Sequence, residues 1–158
     1  MFDEIEKKIS KITIKKRPIA ISVDYRPMYI ITLILLILKL SSNKNQATLF
    51  KIHFLIWNLK NEKNMNEFIL DIGNTQVINV LNWSIEPTVI RAIRYMLSDK
   101  LIIKKLDKYI LDQNGNNFID IILLDDSILE REKLFLKALG KQTITDKKLE
   151  EQLRNIGI

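Results

Sequence analysis

A helix that runs straight into a tight β-hairpin leaves a chain few architectures, and residues Trp83 to Leu111 carry that pattern. The segment reads WSIEPTVIRAIRYMLSDKLIIKKLDKYIL. Ser84 and Pro87 mark the helix start, since proline sacrifices no hydrogen bond in a first turn. Val89, Ile90, Ile93, Met96 and Leu97 recur at helical spacing and form the predicted buried stripe. That phase leaves Arg91, Arg94, Tyr95 and Ser98 facing outward. Two β-prone runs, Leu101–Lys105 and Lys108–Leu111, then fold around Leu106-Asp107-Lys108.

This order is how a winged helix-turn-helix ends, with helix 86–99 as the reader and the hairpin as the wing. The expected fold class is α+β and helix-dominated, with a winged helix at about 45–111 and flanking helices on both sides. Upstream, Phe2, Ile5 and Ile9 predict a helix over 2–11, and alternating apolar residues in 12–23 predict edge strands. Helix 26–41 follows, with Pro27 in its first turn. Asn43 to Thr48 reads as a polar turn rich in N-caps, and Thr48 to Asn61 as a second helix. A short helix over 64–71 stops at Gly73, and 76–81 is a strand that pairs with the wing. Asp112 caps a helix that ends at Leu124. Residues 127–139 form an amphipathic helix with Ile128, Leu129, Leu134, Phe135 and Leu139 inward and Gly140 as its stop, before a last helix at 145–155. No repeat or linker divides the chain. It reads as a single domain over 1–158: an N-terminal extension (1–25), a helical core with the winged helix (26–111) and C-terminal helices (112–158).

Charge is distributed unevenly. The net +6 lies entirely in residues 1–124, because 125–158 carry seven acids and seven bases. A front-loaded positive charge favours an anionic partner. Its densest cluster is Lys11, Lys15, Lys16 and Arg17. With Arg91 and Arg94 on the helix and Lys104, Lys105 and Lys108 in the wing, these are the candidate nucleic-acid contacts. Any contact is expected to be weak, phosphate-directed and independent of sequence.

Other chemistries find little support. Without cysteine there is neither a disulfide nor a thiolate zinc site, and one histidine argues against a His-built metal site. The most apolar run, Met28–Leu38, has only twelve residues between Arg26 and Lys39, where a membrane span needs about 20. It reads as a helix buried on most sides of a cytoplasmic protein. His53, one turn from Leu49 and Trp57, reads as packed and hydrogen-bonded. Asp125-Asp126 precedes a helix start, where acids are expected for dipole reasons. No catalytic residue, cofactor or metal site is expected.

The order RPMYIITLILLILKLSS, ATLFKIHFLIWNLKN, IEPTVIRAIRYMLSDKLI and LEREKLFLKALGKQTITDKKLEEQL resembles the middle component of bacterial ABC-three-component systems, which include Lamassu-type anti-phage defence. The resemblance covers about residues 26–155, and its marked residues are Lys51-x-His53, Trp57 and Leu139-Gly140-Lys141. It implies a non-enzymatic winged-helix adaptor between an SMC-like ABC ATPase that senses DNA and an effector, often a nuclease. The alternatives are a free-standing winged-helix transcription regulator and a structural subunit that never touches nucleic acid.

Overall fold

An eleven-element succession grows from the pattern above, and the computed structural model describes it for residues 26–60, 62–75 and 84–156. The expected helix at 2–11, the strands at 12–23, the cluster Lys11, Lys15, Lys16 and Arg17, and the strand at 76–81 all lie outside the described residues.

Helix α1 (Pro27–Leu40) is the hub. Every residue from Ile30 to Leu38 is buried, so the helix is apolar nearly all round, as the run predicts. The one hydroxyl in that stretch, Thr32, bonds back to Met28 O at 2.8 Å, which satisfies it without a tertiary partner. At the C-terminus Ser41 N–H and Oγ both donate to Ile37 O, and Lys39 reaches Asp120 at 2.9 Å and Asn116 at 2.9 Å. Each large side chain buried here contributes roughly 1.5–3 kcal/mol.

A three-residue 3₁₀ turn, Asn43–Asn45, leads into strand β1 (Gln46–Thr48). The turn was expected, but the strand corrects the reading of 43–48 as turn alone. Three residues cannot show a period, and β1 exists because its partner lies about sixty residues downstream. Thr48 then caps α2 (Leu49–Leu59), its Oγ1 accepting from Lys51 N. Helix α3 spans Glu62–Thr75, longer than the expected 64–71 and running through Gly73. A glycine inside a helix costs about 1 kcal/mol, which the burial of Met65 and Phe68 offsets. Phe54 and Phe68 meet edge-to-face at 5.6 Å, and Phe68 and Phe135 meet tilted at 5.8 Å, a series that ties α2 and α3 to α6 (Glu130–Leu139).

Helix α4 (Pro87–Ser98) precedes β2 (Ile102–Lys105) and β3 (Lys108–Leu111), and these three match the expected helix and hairpin. Its buried face is Val89, Ala92, Ile93 and Met96, with Ile90 and Leu97 half-buried. The helix ends in a paired backbone lock: Leu101 N–H bonds Met96 O and Lys100 N–H bonds Leu97 O, with Lys100 left-handed at φ 54°. That lock turns the chain sharply into β2. The sheet is antiparallel in the order β1-β3-β2. Paired residues share a face, so Ala47, Ile102, Tyr109 and Leu111 look toward the core, while Thr48, Ile103, Lys105, Lys108 and Ile110 lie on the other side.

Asp112 caps α5 (Gln113–Leu124) as predicted. Gly115 in its first turn permits a close approach, since a Cβ there would sit 2.1 Å from Leu101 O. Helix α6 starts at Glu130, later than the expected 127, and its phase differs: Leu136 is buried, while Leu134 is 60% exposed and Ile128 also faces out. The reason is Lys133, which turns inward to donate to Ile122 O and Asp125 O, both at 2.6 Å, closing the end of α5. Gly140, at φ 65°, stops α6 as expected, and α7 (Asp146–Ile156) ends the described chain. One contiguous hydrophobic cluster runs from Ile30 to Leu149.

Candidate nucleic-acid interface

Helix α4 is positioned through its first turn. Glu86, its N-cap residue, pairs with Lys60, and the Glu86 N–H approaches His53 Nδ1 at 3.4 Å. Both contacts come from α2 and its end, so α2 fixes the angle at which α4 presents its outer face. His53 itself is buried, as its spacing predicts; burial lowers its pKa below the usual histidine value, and Glu86 partly opposes the shift.

On that outer face Arg91, Arg94, Tyr95 and Ser98 are exposed, in the phase expected. The hairpin lysines behave differently from one another. Lys104 falls on the core-side register but emerges near the hairpin end, its Nζ 5.7 Å from the Tyr109 ring centroid. Lys105 and Lys108 are paired across the turn on the opposite face. Lys108 is half-buried there and lies 3.8 Å from Asp146 at the start of α7. The structure therefore divides the hairpin's lysines between two faces, with Lys104 and Lys105 exposed and Lys108 half-buried. The split follows from strand alternation, since three lysines at 104, 105 and 108 cannot all share one side of a two-stranded ribbon. At the tip, Leu106 is left-handed (φ 54°) and 95% exposed, an apolar residue between the basic ones.

The tertiary position of Asp146 was not legible from its surroundings in sequence. Its Oδ1 accepts from both the N–H and the hydroxyl of Thr48, at 3.0 and 2.8 Å, across 98 residues. One turn further into α2, Lys51 is 1% exposed, and its ammonium donates to Ser41 O at 2.7 Å. Desolvation pulls its pKa down to about 8; Asp146 opposes that shift and Lys108 adds to it. Its only signal in the sequence is the Lys51-x-His53 pair, noted for its family resemblance, and a lysine at that helical phase is ordinarily solvent-facing.

Among the described residues, no group of three or more His, Asp or Glu side chains is placed to hold a metal ion, and no helix is long and apolar enough to cross a membrane. A scan against protein-family profiles, a search of curated proteins and a search of solved structures each find no match.

Proposed function

We propose that this chain is a non-catalytic winged-helix adaptor of an anti-phage defence complex, holding an SMC-like ABC ATPase and an effector together. The winged-helix part of the reading is supported by the element order α1-β1-α2-α3-α4-β2-β3 and the sheet order β1-β3-β2. In that scaffold the first short strand closes the wing hairpin into a sheet, and the last helix before the wing offers the reading face.

The observation that carries the adaptor part is exposed apolar surface on helices other than α4. Ile69 and Leu70 on α3 and Leu134 on α6 are exposed, and Ile69 and Leu134 line an open groove of about 280 Å³ between those helices. Ile121 and Leu124 form a second exposed apolar face on α5. Two such faces on one small body suit a subunit placed between larger neighbours. The basic face of α4 and the wing then adds a weak phosphate contact while the ATPase supplies most of the DNA affinity.

Arg91, Arg94 and Tyr95 together on one exposed helix face favour a second reading, a free-standing winged-helix regulator. Co-purification separates the two. The tagged chain, expressed with its genomic neighbours, is expected to bring down an ATPase subunit, and Ile69→Asp with Leu134→Asp is expected to release one partner. Purification as a solitary homodimer, with no ATPase encoded nearby, removes the adaptor reading.

A further inference from the structure

A second basic site lies on the opposite side of the sheet from α4. The Asn43–Asn45 turn, the start of β3 and the start of α7 enclose a cleft of about 270 Å³. Five lysines line it, Lys44, Lys51, Lys108, Lys141 and Lys147, against the single carboxylate of Asp146. That carboxylate is already engaged by Thr48 and Lys108. Of the others, Lys147 has only a loose 3.9 Å exposed pair with Glu151, and Lys141 bonds the neutral amide oxygen of Asn45 at 3.1 Å. Lys51, at the base, has three donors and spends one on Ser41 O. The cleft is therefore strongly and unevenly positive.

Gathering like charges in a concavity is costly, and burying one of them more so, unless an anion joins them. The local backbone carries a further cost, because Lys44 and Asn45 are both left-handed, at φ 52° and 53°. The size and depth of the site restrict its ligand. A duplex backbone cannot follow a phosphate down to a lysine that is 1% exposed. A compact chain of phosphates fits the rim, where several ammonium groups around a small volume match its charge density.

We propose that this cleft binds a compact polyphosphate, either free or as the tail of a nucleotide. Lys44, Lys108, Lys141 and Lys147 hold the phosphates at the rim, and the buried ammonium of Lys51 adds positive potential beneath them. The site is separate from the α4 face and does not depend on the adaptor reading, so failure of one leaves the other standing.

Calorimetric titration of the full chain with inorganic tripolyphosphate tests this, with a nucleoside triphosphate and a short DNA duplex as parallel ligands. Tripolyphosphate is expected to bind at one site, and the rim variant Lys141→Glu with Lys147→Glu to weaken it at least about tenfold, while Arg91→Glu leaves it unchanged. Lys51→Met is expected to weaken it as well, through the lost potential; should that variant not fold, the rim variant still decides. Equal affinity for tripolyphosphate and nucleotide supports a free polyphosphate, and a tighter nucleotide supports the tail. No binding at millimolar tripolyphosphate, binding indifferent to the rim variant, or binding of the duplex alone overturns the proposal.

Discussion

Two basic surfaces among the described residues are built on opposite principles. The surface of α4 and the β2–β3 hairpin is open: Arg91, Arg94, Lys104 and Lys105 stand exposed. The cleft beside α7 is closed, with Lys51 buried and Asp146 fixed by Thr48 and Lys108. Exposed cations in high dielectric contribute little to stability and suit a delocalised, salt-sensitive contact. Enclosed cations alter their own titration and the stability of the fold. Charge count alone would rank the two surfaces together; burial separates them.

The largest expected effect strikes the frame that both surfaces share. Gly115→Ala places a methyl 2.1 Å from Leu101 O, so α5 must move away from the base of the hairpin. Overpacking of this kind costs roughly 1–3 kcal/mol or more, read as a lower melting temperature. An unchanged melting curve would show that the approach is relaxed elsewhere.

The next effect belongs to the cleft alone. Lys51 has a folded pKa lowered from 10.5 to about 8, so between those values the unfolded chain binds more protons than the folded one. Stability therefore rises with pH across that window. Relative to Lys51→Met, the protein should gain about 2 kcal/mol between pH 7 and 10 in denaturant titrations. A parallel pH profile for the two proteins would place the ammonium in water. Asp146→Asn should sharpen the same point, driving the Lys51 pKa further down because the opposing charge is gone.

A smaller effect lies at the junction of α4 and the hairpin. Lys100 sits left-handed where glycine is usual, and Lys100→Gly should stabilise by up to about 1 kcal/mol in thermal unfolding. The smallest belongs to the open surface: Arg91→Ala with Arg94→Ala should leave stability within about 0.5 kcal/mol and reduce the salt slope of DNA binding by about two at most.

What could be read in advance follows the range of the interaction. Pro27, Asp112, Gly140 and the α4 stripe announce their elements because caps and periodicity are local. The outward phase of Arg91 and Arg94 was legible for the same reason. The β1 strand was not, since only pairing with Lys108–Ile110 makes Gln46–Thr48 a strand. Leu134 was assigned inward because hydrophobicity sets the pattern, whereas Lys133 sets the phase by reaching two carbonyls of the preceding helix end. The cleft joins residues from 43 to 147, and no local motif reports that meeting.

The adaptor account is tested most directly by DNA titration of the isolated chain and of its co-purified complex, each at low and moderate salt and on several unrelated sequences. The account predicts that the isolated chain binds weakly, without preference, and releases DNA at moderate salt, while the complex binds tightly. Tight, sequence-selective binding by the isolated chain as a homodimer would contradict it.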